Sequence, residues 1–427
     1  MKLPRYSHDA GIYIHVPFCR SKCTYCGFYS IVDFSLKDSF IEALTKEFEL
    51  RSQIVKDRVF KTIYIGGGTP STLDPPDFLK IFDSLRKNYK IADNAEITVE
   101  VNPESVSEDL IKILISEGVN RISMGVQSAV ERELRLLGRI HDLKTAERAV
   151  KLIQDQGIEN INVDLIFGIP GQSVSDFEKS LEWAIKQDVK HISTYSLTLE
   201  RGTELHRLVK VGKLKMPDET GVIELYRVRD KVLKNHGFVR YEISNFSRPG
   251  YECKHNLIYW YHGEYIGFGP SAASFLYESP PVRFQNRRSL KLYVEHLLNG
   301  NLPPGDSEAL DRKSLLLERI FLYIRTIRGL PCEFAEFVFN LREDLKRFFE
   351  GNHYRVLNFE GMLLADHLAL EIFQTIEEMA EKIDLDCKIS GEVPPSFEGG
   401  TDFHMSCFIA TLQACWIGSQ TGESLGV

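Results

Sequence analysis

Between residues 11 and 200 six short apolar runs alternate with amphipathic stretches, and that rhythm leaves few folds open to the chain. Strands are expected at residues 11–16, 62–65, 96–101, 121–125, 160–167 and 191–197. Helical periodicity fills 37–53, 77–89, 108–117, 143–156 and 175–186. Strand–helix units in succession imply a parallel sheet with helices covering one side. Six units are too few to close an eight-fold barrel, so the expected class is α/β, a partial (β/α)6 barrel. Chemistry is then expected at the C-terminal ends of the strands.

Beyond residue 200 the rhythm is lost. A helix is expected at 218–236, followed by segments rich in glycine and aromatic residues. A polar break at 299–307, containing Pro303, Pro304 and Gly305, reads as a linker. A mostly helical region follows at 311–376, with a hairpin-like section near 354–359. From 384 the composition turns to Gly, Ser and Pro. The expected organisation is a barrel over 1–200, a barrel extension over 201–300, a smaller helical C-terminal domain over 301–383 and a poorly ordered tail over 384–427. No internal repeat is visible.

A formal net charge of −8 argues against nucleic acid as a main partner. No run of about 18 apolar residues is present, which argues against a membrane span. The first residues also lack the basic and apolar regions of a secretory signal, so a cytoplasmic protein is expected.

Of eight cysteines, Cys19, Cys23 and Cys26 fall within one short stretch, CRSKCTYC, directly after the first strand. A disulfide framework suits a small secreted chain, and this one is neither. Three thiolates from one loop can hold three irons of a 4Fe–4S cubane, leaving the fourth iron open to a chelating small molecule. Zinc competes, but it would want a fourth Cys or His nearby, and position 28 is Phe28. Cys387, Cys407 and Cys415 are too widely spaced to suggest a metal site.

The CxxxCxxC loop resembles that of radical S-adenosylmethionine proteins. The longer run YIHVPFC (13–19) is similar to the branch related to oxygen-independent coproporphyrinogen III oxidase. The likeness continues through GGGTPS (66–71), EVNP (100–103), RISMGVQS (121–128) and DLIFGIPGQ (164–172), and it spans about residues 11–375. It implies a radical-SAM partial barrel. It also implies a 4Fe–4S cluster on Cys19, Cys23 and Cys26, and S-adenosylmethionine held by Gly67, Gly68, Thr69, Glu100, Gln127, Arg139 and Asp164. Tyr13 and Tyr25 would flank cluster and cofactor. The glycines alone could suggest a phosphate loop, but its Lys and Ser/Thr are missing. Glu100 and Arg139, taken without the motifs, would read as surface charges.

Members that oxidise coproporphyrinogen carry a further cysteine two residues after the third and an N-terminal arm. Here Phe28 takes the cysteine's place, and eighteen residues precede Cys19. The chain is more similar to the heme-chaperone (HemW-like) branch. HNLIYW (255–260) resembles that branch's heme motif, as do YEISNF (241–246) and YIGFGPSAAS (265–274). His255 would supply a nitrogen to heme iron, and Tyr259 and Trp260 flat apolar surface to the macrocycle. The competing reading is a structural histidine with core aromatics. Cys253 is either a second ligand or an inert buried thiol. His15 reads as a support for the cluster loop, and His141 and His191 show no ligand spacing.

The resemblance thus implies heme transfer to an acceptor hemoprotein. Its alternative is radical oxidative decarboxylation of porphyrinogen propionates. Either needs an electron donor such as flavodoxin or ferredoxin.

Overall fold

The computed structural model describes residues 5–390. Six parallel strands, β1 (Ala10–Val16), β2 (Val59–Gly67), β3 (Lys90–Val101), β4 (Arg121–Gln127), β5 (Ile161–Phe167) and β6 (His191–Ser196), lie side by side in chain order. Between them run α1 (Lys37–Arg51), α2 (Pro75–Asn88), α3 (Glu108–Ser116), α4 (Glu131–Leu137), α5 (Leu143–Asp155) and α6 (Val174–Lys186). The partial (β/α)6 barrel is therefore present. β3 begins at Lys90, well before the expected 96, because its first five residues, KIADN, are exposed or half-buried and mostly not apolar.

Parallel strands covered on both faces normally read as continuous apolar runs. These alternate. Ile12, Ile14, Ile63, Ile65, Val99, Ile122, Met124, Val163 and Ile192 face the helices in one large core. The other face carries Tyr13, Thr62, Tyr64, Glu96, Thr98, Glu100, Arg121, Ser123, Asn162, Asp164 and His191, brought side by side by the strand register. An inner face this polar lines a site rather than filling a core.

After β6 come α7 (Glu204–Lys210) and α8 (Glu219–Asn235), the latter capped by Asp218, whose side chain accepts from Gly221 N at 2.8 Å. β8 (Asn245–Ser247) adds antiparallel to β6, and β7 (Val239–Arg240) pairs antiparallel with the outer edge of β8. α9 (Lys254–Trp260) then crosses the barrel, and β9 (Glu264–Phe268) pairs in parallel with the free edge of β1. β10 (Ala273–Leu276), β11 (Val282–Asn286) and β12 (Gly305–Ala309) continue antiparallel, with α10 (Leu290–Leu298) between the last two. The result is an open twelve-stranded sheet. β12 corrects the expected linker over 299–307. Its sequence, GDSEA, is a polar edge strand with no alternation to reveal it.

The C-terminal region is helical: α11 (Arg312–Tyr323), α12 (Cys332–Leu341), α13 (Phe359–Leu363) and α14 (Ala365–Ser390). The pair β13 (Phe349–Glu350) and β14 (Val356–Leu357) stands at the expected hairpin. α14 runs past residue 383, where the tail was expected to begin. Residues 391–427, with Cys407 and Cys415, lie outside the described residues. This region has its own core, including Ile320, Tyr323, Phe334, Val338, Leu368 and Ile372. Among the described residues no helix is long and apolar enough to cross a membrane.

One buried carboxylate ties the barrel to its extension. Glu47 of α1 accepts from Arg51 Nε at 2.9 Å, Asn286 Nδ2 at 2.8 Å, Gly269 N at 2.9 Å and Tyr293 Oη at 2.7 Å. Truncating one member of a buried pair strands its partner's charge. Glu47→Ala is therefore expected to cost about 3–5 kcal/mol in chemical denaturation, with the slope unchanged. A loss of about 1 kcal/mol or less would contradict this account of the junction.

Candidate functional site

The three cysteines occupy a loop pinned at both ends. Cys19 N donates to Ile31 O at 2.9 Å, and Ile31 N to Pro17 O at 2.8 Å. Thr24 N and Oγ1 donate to Leu137 O and Leu136 O at 3.1 and 2.8 Å. Lys22 Nζ crosses the loop to Phe28 O and Ser30 Oγ at 2.8 and 2.7 Å. His15 supports the far side, its Nε2 donating to Tyr29 O at 2.8 Å and its Nδ1 taking a bond from Tyr13 Oη at 3.2 Å. Burial pushes that imidazole down to about 4, so it stays neutral.

The glycine run at the end of β2 straps against this loop. Gly68 N and Thr69 N donate to Val16 O and Phe18 O, each at 2.7 Å. A side chain at Gly67 would strike His15, and one at Gly68 the backbone of Phe18 and Val16, so the approach admits only glycine. Thr69 Oγ1 points to Cys19 Sγ and Arg139 Nη1 to Cys23 Sγ, both at 3.5 Å. Donors aimed at the sulfurs suit thiolates. Burial raises the thiols of Cys19 and Cys26, the latter to about 11, and a bound metal cation would reverse that cost.

All three cysteines border one open cavity. Around it stand Tyr13, Tyr25, Gly67, Gly68, Thr69, Glu100, Gln127, Arg139, Asp164 and His255. Phe28 lines it too. Glu100 Oε1 accepts from Tyr64 Oη at 2.8 Å and Oε2 from Gly67 N at 3.1 Å. Asp164 accepts from Asn162 Nδ2 at 2.8 Å and Ser123 Oγ at 3.3 Å.

Burial pushes Glu100 up to about 7, against the pull of the Tyr64 hydroxyl, with the Asp164 charge adding to the rise. Asp164 is raised by the same burial. Arg121, fully buried beneath them, supplies positive charge that holds both down.

Several polar atoms here are buried without a protein partner, among them Gln127 Oε1 and Arg139 Nε. Gln127 also sits at a bulge in β4 with φ of 73°, a strained setting for a side chain. Unpaired donors and acceptors beside buried carboxylates fit a polar cationic ligand such as S-adenosylmethionine. The thiolate loop next to them fits an iron–sulfur cluster. Such a pair supplies radical chemistry when bound, while the protein's groups hold, orient and shield it.

Lining residues given no role from the sequence include Tyr64, Asn102, Ser123 and Tyr195. Asn102 links Thr69 Oγ1 (3.1 Å) to Arg139 Nη2 (2.7 Å). Asn102 stands two positions past Glu100 at the end of the same strand, where period-two alternation was a signal for it; Tyr64, Ser123 and Tyr195 had none.

α9 closes the inner end. Glu96 caps it, accepting from Lys254 N and His255 N, both at 3.0 Å. His255 Nδ1 lies 2.6 Å from Thr62 Oγ1 and its Nε2 2.8 Å from Tyr259 Oη. Tyr259 borders the cavity, but Trp260 does not. It is buried in the C-terminal core, which corrects the expectation that it faces a macrocycle. Cys253 is fully buried, its Sγ 3.6 Å from Glu96 Oε1, and burial raises its thiol strongly. It does not line the cavity. His141 and His191 are structural: His141 Nε2 donates to Val126 O, and His191 joins Asn162 to Tyr241.

Burial, helped by the Arg121 charge, pushes His255 down to about 3. The unfolded chain would take up a proton there below 6.5 and the folded chain would not, so this site costs stability as pH falls. In NMR spectra of histidine-labelled protein the His255 ring signals are expected to stay fixed from about pH 5 to pH 8. A midpoint near the ordinary histidine value would contradict the burial.

Residues 13–184 match the model of the Radical SAM superfamily. The chain is 36% identical over 332 residues to the heme chaperone HemW of Mycobacterium tuberculosis, covering 77% of this chain and 84% of that protein. It is 35% identical over 327 residues to that of Bacillus subtilis, covering 76% and 86%. The solved structure of coproporphyrinogen III oxidase (HemN) from Escherichia coli, a radical SAM enzyme, superposes with a TM-score of 0.73 at 22% identity, over 86% of this chain and 91% of that one; this likeness establishes the fold. The chain belongs to the heme chaperone HemW family, within the radical SAM superfamily.

Proposed function

We propose that this chain binds heme at His255 and hands it to an acceptor hemoprotein. On this reading a 4Fe–4S cluster sits on Cys19, Cys23 and Cys26, and S-adenosylmethionine lies against Gly67, Gly68, Thr69, Glu100, Gln127, Arg139 and Asp164. Tyr13 and Tyr25 wall that side of the cavity. The observation that carries the reading is that His255 opens onto the same cavity as the cysteine loop. With Nδ1–H donated to Thr62, the Nε2 lone pair faces the half-buried Tyr259, whose hydroxyl can yield to iron. A ligating histidine is commonly oriented in this way, through its other ring nitrogen.

The relatives named as heme chaperones support the same assignment. Phe28, which puts an aromatic ring on the cavity wall, favours carriage over porphyrinogen decarboxylation. A flavodoxin or ferredoxin would supply electrons to the cluster, and transfer would take place in the cytoplasm.

The test is an anaerobic heme titration of cluster-reconstituted protein, wild type beside His255→Ala and His255→Gln. Saturable one-to-one binding is expected in the wild type, with weaker binding or a shifted Soret band in both variants. No specific binding in the wild type would sink the proposal and bring porphyrinogen decarboxylation forward.

A further inference from the structure

Tyr64 touches both ends of the cavity. Its hydroxyl donates to Glu100 Oε1 at 2.8 Å. Its ring stacks on the His255 imidazole with centroids 5.2 Å apart and planes 26° from parallel. Two residues earlier on the same strand face, Thr62 holds His255 Nδ1. Two and three residues later, Gly66 and Gly67 back onto Glu100, whose Oε2 accepts from Gly67 N.

The column has no slack at either end. A methyl group added at Gly66 would come within 2.8 Å of the Glu100 carboxylate. One added at Gly11 would come within 2.7 Å of Thr62 Oγ1 and 3.0 Å of His255. Close-packed interiors pass on small displacements rather than absorbing them.

We propose that Tyr64 is a positioning residue that couples the two halves of the cavity, so that S-adenosylmethionine at Glu100 changes how tightly a macrocycle is held at His255. This inference rests on the heme reading given above. Four groups face Glu100 besides the glycine backbone: Tyr64 from β2, Arg121 from β4, Asp164 from β5 and Tyr195 from β6. A cation seated there favours the ionised carboxylate, which accepts a shorter and stronger bond from the Tyr64 hydroxyl. The ring follows the hydroxyl, and the stack on His255 shifts with it. Linkage requires the effect to be mutual: heme changes the affinity for S-adenosylmethionine by the same factor.

The experiment titrates reconstituted protein anaerobically with ferric heme, with and without saturating S-adenosylmethionine. It compares wild type with Tyr64→Phe, which keeps the ring, and Tyr64→Leu, which removes both contacts. In the wild type, S-adenosylmethionine is expected to change heme affinity by about fivefold or more. In Tyr64→Phe that factor falls to within about twofold of unity while the spectrum of bound heme is retained. In Tyr64→Leu the spectrum changes as well.

A second arm measures S-adenosylmethionine binding alone against pH. Losing the hydroxyl raises the Glu100 carboxyl further, so the acid limb should move to higher pH in Tyr64→Phe. Wild-type coupling retained in Tyr64→Phe, or an unshifted acid limb, overturns the proposal. Heme binding indifferent to S-adenosylmethionine in the wild type overturns the coupling alone. No heme binding at all overturns the reading of His255 and the coupling with it.

Discussion

A parallel sheet can keep ionisable groups on its inner face only if each buried charge finds a partner, because an unpaired one costs several kcal/mol. That constraint organises this molecule. Arg121, buried at the start of β4, stands among Glu96, Glu100, Asp164, Tyr64 and Cys253 and offsets the charge of the carboxylates. Glu96 spends its remaining lone pairs on the N-terminus of α9. The cap fixes α9, α9 fixes His255, and the inner face stays polar without collapsing. What is left over at the open end is a set of unpaired polar atoms beside three cysteines, which is the condition for binding a ligand rather than for stability.

α9 has a second role in the architecture. Its first turn lies on the barrel floor, and its last residue, Trp260, is buried in the C-terminal core with Ile320, Tyr323 and Phe334. Just beyond it, His262 Nε2 lies 3.2 Å from Glu318 of α11, which also takes Arg283 Nη2 at 2.7 Å. One short helix therefore joins the putting-in-place of His255 to the seating of the helical region. Displacing either body relative to the other would be felt at the imidazole.

Much of this was legible in the sequence for a definable reason. The cysteine loop, the glycine run, Glu100, Gln127 and Asp164 sit in contiguous motifs at or near strand ends, where parallel α/β sheets gather chemistry, and Arg139 lies just past one. The six-strand rhythm was legible because alternation survives wherever one face meets helices. Tyr64 and Ser123 were not, since choosing them requires knowing that the inner face is a cavity and not a core. Trp260 was misassigned because it neighbours Tyr259, and successive residues on a helix point about 100° apart. β9 was hidden by its glycine and short length, and β12 by its uniformly polar edge.

The central claim is that Cys19, Cys23 and Cys26 hold a cluster with one iron open to the cavity in which Glu100, Gln127, Arg139 and Asp164 wait. Electron paramagnetic resonance of the reconstituted, reduced protein tests it most directly, recorded before and after S-adenosylmethionine is added. The account predicts a cluster signal whose g values shift on addition, and no such signal when any one of the three cysteines is replaced by alanine. A signal that S-adenosylmethionine leaves unchanged would contradict it, because the open iron would then not face the site these residues build.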